Sequence, residues 1–298
     1  RSSTLISPEA PPLPAWVSSD GYKWIKIDDP IPRPERDSYS LASFGGGMLL
    51  LGGAYLESLY RGLSDVWFSG DGFEWNLVSN QINTGPISSA RLSVWQNTLY
   101  LLGGFDQEKR IWHEGIWASL DGENWILETS SVEDNFSGYY DLVATDNYLV
   151  VFLLTNGLIR SADGQNWEHI SAFTEEGESQ GNPPNRWDFQ AVWFHDQLVV
   201  LGGMHHPDIF EYPIPATDVW ASVDGAQWEQ IAPRGTLPER YDPIVIVFKD
   251  RIFFIGGYIE SESGEEPLEW KREVWVSDDA VTWNLLAEDP TQREVTTR

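Results

Sequence analysis

Cysteine is missing altogether from these 298 residues. That excludes disulfides, thiolate metal sites and cysteine nucleophiles, although it leaves the redox compartment open. Basic residues are scarce, with 19 Lys and Arg against 46 Asp and Glu, a formal net charge of −27. Nucleic acid and anionic membrane surfaces would meet net repulsion, and no basic stripe offsets it. No apolar run approaches the length of about 18 residues that a membrane-spanning helix needs. Metal-binding spacings such as His-x-x-x-His and calcium-loop Asp ladders are also missing, so neither metal nor cofactor is expected. No secretory signal is visible ahead of Arg1, which fits a mature or excised form.

What is present in excess is tryptophan, 16 residues, and much of it sits in one phrase. Ser-x-Asp-Gly-x-x-Trp occurs at Ser18–Trp24, Ser69–Trp75, Ser119–Trp125, Ser161–Trp167 and Ser222–Trp228, and again at Ser277–Trp283 with Ala280 in place of Gly. A period of this size carrying strand patterns marks a radial or stacked repeat whose units cannot bury a core alone. Asp-Gly between apolar stretches predicts a type I′ hairpin turn, which needs positive φ at both central residues. Ala280 should therefore distort its turn or carry strain. The strand after each phrase alternates apolar and polar residues, as in Trp228-Glu229-Gln230-Ile231, so the repeated tryptophans are read as core.

Upstream of each hairpin stands a linker with Pro and Arg (Pro34-Glu35-Arg36, Pro238-Glu239-Arg240), then a strand, then an apolar strand ending in paired glycines. Leu51-Gly52-Gly53, Leu102-Gly103-Gly104, Leu201-Gly202-Gly203 and Ile255-Gly256-Gly257 are those endings. Four strands per repeat make a propeller blade. Pro-x-x-Arg, Leu-Gly-Gly and Asp-Val-Trp in this order resemble the kelch repeat of galactose-oxidase-like central domains. The hairpin phrase is similar to a shortened Asp-box of sialidase-type propellers. Six copies of the hairpin imply six blades, so the expected fold is an all-β, six-bladed propeller of four-stranded antiparallel blades, in one domain over residues 1–298. Full blades are expected at 36–79, 90–128, 138–171, 186–232 and 240–287. A sixth is expected from residues 3–27 and 290–298, closing the ring with strands from both termini.

Strand order puts the linkers and the loops after the second strands at one end, and the Asp-Gly turns at the other. The first set is long in four blades, so that face is the expected functional one. Blade three lacks the glycine pair and predicts a tight hairpin there, leaving a notch flanked by Trp112, His113, His205 and His206, with Tyr139 and Tyr140 as its floor. Arg36, Arg91, Arg186 and Arg240 are read as matching positions at the starts of the first strands. They are expected either to ring a cationic mouth or to pair with Asp37, Asp188 and Asp242. The histidines His205 and His206 are read as solvated loop residues.

Exposed loop aromatics, among them Trp112, Tyr212 and Trp270, suit stacking on sugars or filling protein pockets. The expectation is a non-catalytic, extracytoplasmic binding propeller recognising a protein or carbohydrate partner through the long-loop face. The candidate ligand-binding set is Arg36, Arg91, Arg186, Arg240, Tyr140, Trp112, His205, His206, Tyr212 and Trp270. A second reading is a sugar-processing enzyme acting on an acidic saccharide at an Arg-lined mouth. The copper–radical chemistry of galactose oxidase is excluded, because it needs a Tyr crosslinked to Cys. Sialidases need a Tyr–Glu pair and an Asp acid that cannot be assigned here. The N-acetylneuraminate epimerase family, also a six-bladed kelch propeller, implies acid–base residues near an arginine, for which Glu211, Asp208 and His205 near Arg186 are candidates. A third reading is a structural module of a larger surface assembly.

Overall fold

The computed structural model describes residues 15–27, 36–55, 62–106, 108–113, 115–129, 141–153, 157–170, 186, 188–205, 214–259 and 269–289. They form strands, turns and loops, and no helix among them is long and apolar enough to cross a membrane. Five four-stranded antiparallel sheets follow one another along the chain. Blade 1 is Ser40–Phe44, Gly47–Leu51, Val66–Ser69 and Asn76–Ser79. Blade 2 is Arg91–Trp95, Thr98–Leu102, Ile116–Ser119 and Ile126–Thr129. Blade 3 is Asp141–Ala144, Leu149–Leu153, Gly157–Ser161 and Glu168–Ile170. Blade 4 is Gln190–Phe194, Gln197–Leu201, Val219–Ser222 and Glu229–Ala232. Blade 5 is Ile244–Val247, Ile252–Ile255, Val274–Ser277 and Asn284–Ala287.

The second strand of each blade reads as an unbroken apolar run because both its faces are covered. Along Leu99–Leu102, Leu99 and Leu101 pack toward Leu49 and Leu51 of blade 1, while Tyr100 and Leu102 pack toward Leu149 and Val151 of blade 3. The period-2 alternation of a strand thus serves two cores, one on each side. The same division recurs between blades 3 and 4 and between blades 4 and 5. The phrase tryptophans fill these seams: Trp125 lies with the blade 1–2 core and Trp228 with the blade 3–4 core.

Among the described residues five four-stranded blades are present, which corrects the expected six. The phrase marks just the hairpin between third and fourth strands, and around its first copy the described residues form that hairpin alone, Ala15–Val17 paired with Ile25–Ile27. The proposed contributions of residues 3–14 and 290–298 lie outside the described residues. The hairpin docks on blade 5. Gly21 sits against the Phe253 ring, Lys249 donates to the Ser19 carbonyl at 2.8 Å, and Arg251 donates to the Tyr22 hydroxyl at 2.9 Å. The innermost strands adjoin in the order of blades 1, 2, 3, 4 and 5, and no comparable contact leads from blade 5 back to blade 1 among the described residues. Accordingly Ile244, Ile246 and Val247 on the inner strand of blade 5 stay exposed.

The turns need a second correction. Type I′ turns are found between first and second strands, with positive φ at Gly45-Gly46, Gln96-Asn97, His195-Asp196 and Lys249-Asp250. In the repeated phrase only the glycine is left-handed, φ 78 to 82° in the five copies that have it. The Ser and Asp side chains take over the turn. In the second copy Ser69 Oγ accepts the Gly72 N–H at 2.8 Å, and Asp71 Oδ1 accepts those of Phe73 at 2.9 Å and Glu74 at 3.0 Å. Such side-chain bonds compete with the two-residue turn and lengthen it. They also hold the phrase carboxyls below their usual range, Asp121 to about 2 through the Asn124 and Glu123 N–H groups and the Asn124 side chain. Ala280 keeps the turn at φ 63°, and its N–H makes no bond to Ser277.

Candidate functional site at the axial mouth

Four small two-stranded extensions stand on one face, three made by a long loop folding back and one, in blade 1, by the entry linker pairing with the start of the loop. They are Arg36–Asp37 with Ala54–Tyr55, Phe105–Asp106 with Ile111–Trp112, Met204–His205 with Ile214–Pro215, and Tyr258–Ile259 with Glu269–Trp270. Blade 3 differs as expected, its second and third strands closing at Leu153 opposite Gly157. The turns between first and second strands and those of the repeated phrase lie at the opposite end.

Strand pairing sets the register of the linker arginines. Ser40 faces Leu51, Arg91 faces Leu102, Gln190 faces Leu201 and Ile244 faces Ile255, so these four residues are equivalent. Arg36, Arg186 and Arg240 each stand four residues earlier, where blade 2 has Ile87. Arg91 therefore does not match the other three. This corrects the sequence-based alignment.

The three matching arginines are clamps. Arg36, 1% exposed, grips Asp65 with two bonds of 2.7 and 2.9 Å and also donates to the Gly52 carbonyl at 3.0 Å. Arg186 pairs with Asp218 at 3.0 Å, and Arg240 with Glu273 at 2.6 Å. Each acid also accepts the indole N–H of the tryptophan two residues on, Trp67 at 2.7 Å, Trp220 at 2.8 Å and Trp275 at 3.0 Å. The partners are thus the acids before the third strand, not Asp37, Asp188 and Asp242. Burial alone would push the Asp218 carboxyl up, but Arg186 and the Trp220 N–H bring it below its ordinary value. Blade 2 has lost both halves together: Ile87 is buried and Gly115 stands where the acid would be.

Arg91 instead lines a cavity of about 280 Å³ at the axis. Its wall is built by a second register position, two residues ahead of each inner strand. Ser38, Ser89, Asp188 and Asp242 all have left-handed backbone there, φ 52, 56, 55 and 50°, and all four line the cavity. Left-handed non-glycine residues are uncommon and costly, and here the repeat imposes the same kink on four blades and brings four short polar side chains to one point. Tyr39, Gln190 and Trp112 complete the wall.

Its electrostatics are mixed. Burial raises the Asp188 carboxyl, Asp242 raises it further, and Arg91 opposes both. Asp141, on the neighbouring inner strand, is raised by burial against the pull of Arg91 and of the Ala191 and Leu142 N–H groups. Its oxygens accept from those two groups at 2.7 and 2.9 Å. Neither Asp188 nor Asp242 has a hydrogen-bond or ion-pair partner among the described residues.

Of the other anticipated residues, Trp112 leans on Phe105, ring centroids 5.1 Å apart, and faces the cavity. Trp270 is 65% exposed and stands on Tyr258 at 5.2 Å, which itself stacks on Tyr241 at 5.3 Å. His205 is buried and takes a 2.6 Å bond at Nε2 from Arg234, so it is not a solvated loop histidine. His206, Tyr212, Tyr139, Tyr140, Asp208 and Glu211 lie outside the described residues. No group of three His, Asp or Glu among the described residues is placed to hold a metal ion. Tyr39, Ser38, Ser89 and Gln190 were missed from sequence. Only the strand register brings them to one wall.

No model of a protein family and no curated protein matches the chain. Solved structures do, 345 chains of them. A structure of YjhT superposes with a TM-score of 0.64 at 14% identity, covering 88% of this chain and 87% of that one. The fold is a β-propeller. At that identity the likeness extends to architecture alone, and propellers carry many unrelated functions.

Proposed function

We propose that this propeller is a binding protein that makes and breaks no bonds, and that it holds a protein or glycan partner through its long-loop face. The observation that carries the reading is the fate of the arginines. Three of the four expected to ring a mouth are committed to ion pairs within their own blades, which is what repeat architecture requires of repeated residues. What the face offers instead is a small axial cavity beside two aromatic pairs, Phe105–Trp112 and Tyr258–Trp270, the second ending in an exposed indole. Rigid aromatic anchors around a recess suit recognition. The repeat is taken to be of kelch type with Asp-box hairpins, and the location to be outside the cytoplasm, in keeping with a net charge of −27.

One observation favours a second reading. Asp141 and Asp188, carboxyls held above their usual range beside Arg91, have the chemistry of acid–base groups acting on a saccharide. Glycan-array binding and crosslinking mass spectrometry on the wild type and on Trp270→Ala test the first reading. The expected result is a glycan or protein bound at the long loops, weakened at least about tenfold by the substitution with unchanged melting. Turnover of a bound saccharide would replace it with the second reading, and partner contacts confined to the opposite face would end both.

A further inference from the structure

We infer that the axial cavity selects a small ligand carrying a protonated amine beside hydroxyl groups, an amino sugar being the simplest form; this rests on the binding reading above and names its ligand chemistry. The charge balance decides it. Among the described residues Arg91 is the one cation lining the cavity, Asp188 and Asp242 line it too, and Asp141 and Asp188 both lie close enough to Arg91 to feel its charge. A carboxylate ligand would share that arginine with three acids already present. An ammonium group would meet Asp188 and Asp242, which have no hydrogen-bonding partner among the described residues. Elsewhere on this face Asp65, Asp106, Asp218 and Glu273 are all paired with cations.

The rest of the wall fits the same ligand. Trp112 presents an aromatic ring, which attracts a cation electrostatically. Ser38, Ser89 and Gln190 supply donors and acceptors for hydroxyl groups. A cavity of about 280 Å³ is near the lower bound of ligand pockets and suits a single small ring. A net charge of −27 draws cations toward the protein at long range.

Three sugars with the same ring and different charge make the test: glucosamine, N-acetylglucosamine and glucuronate, titrated into the full chain at pH 6.5 by calorimetry and thermal shift. Glucosamine alone should raise the melting temperature, growing with concentration as ligand linkage requires and shrinking with added salt. Asp188→Asn and Asp242→Asn should each weaken it at least about tenfold, the scale of a lost charge-assisted bond. Asp196→Asn, at the opposite face, should leave it unchanged. Equal shifts with N-acetylglucosamine, a shift with glucuronate alone, or no shift with any of the three overturns the inference. Should the long-loop partner still be lost in Trp270→Ala, the binding reading survives that failure, so the two are told apart.

Discussion

Arg36, Arg186 and Arg240 stand four residues ahead of an inner strand; Arg91 stands on one. The first three reach back to an acid before the third strand, and two of them, Arg36 and Arg186, disappear from the surface. The fourth has no such acid to reach, because Gly115 occupies that place in blade 2, and it faces the axial cavity. One residue type thus does two jobs, set by register. A guanidinium beside a fixed carboxylate and an indole N–H is a fastener. One beside Asp188, whose carboxyl is raised by burial and by Asp242, lines a cavity instead.

The sharpest way to break this comparison is to remove one arginine of each kind. Arg36→Ala should destabilise the fold by about 2–4 kcal/mol, since it empties a fully buried site and leaves the half-buried Asp65 without its cation. Arg91→Ala should change stability by less than about 1 kcal/mol in the same urea titration. Copying blade 2 into blade 1, as Arg36→Ile with Asp65→Gly, should recover at least half the loss. Failure to recover would mean that the clamp is more than an exchangeable fastener.

Next in size is the hairpin phrase. A methyl at Gly164 would be strained at φ 78° and would press on the Tyr100 ring, 2.9 Å from Cζ. Gly164→Ala should therefore cost about 2–4 kcal/mol, strain and overpacking together. The natural counterpart points the other way. Ala280 has a tighter φ than the glycines and lacks their bond to the serine, but its methyl is buried in the blade 4–5 core. Ala280→Gly should stabilise by up to about 1 kcal/mol, strain relief and a regained bond outweighing the lost methyl. Calorimetric melting distinguishes the two, and a loss of stability in Ala280→Gly would show that the methyl dominates.

The smallest effect sharpens the cavity side. The folded Asp188 carboxyl titrates above its unfolded value, so its ionised form costs stability at neutral pH. That cost is present in full above the folded value and disappears below the ordinary carboxylate range. Asp188→Asn should raise stability at pH 7, by about 0.5 kcal/mol or less, and the gain should fade toward pH 3. A gain independent of pH would mean that charge is not its source.

What could be read from the chain was whatever is local. The phrase repeats, the glycine pairs and the doubly covered apolar strands announced blades of four strands, because each depends on residues within a few positions. The long-loop face followed from strand order alone. Legibility failed where distance in sequence hid proximity. Asp37, Asp188 and Asp242 are neighbours of linker arginines along the chain, yet Arg36 and Arg240 pair with acids 29 and 33 residues away. The count of six blades failed for a related reason, since a hairpin phrase states that two strands meet and not that two more stand beside them.

Asp-Gly carried a true turn signal but the wrong turn, because the Ser and Asp side chains capture backbone N–H groups that a two-residue hairpin would leave to the ladder. Composition and local pattern by themselves determined an all-β repeat with its cores between blades. Only the tertiary structure decided which arginine is buried and which carboxylates go unpaired, because register between strands is set by packing of whole blades rather than by the residues that border each one.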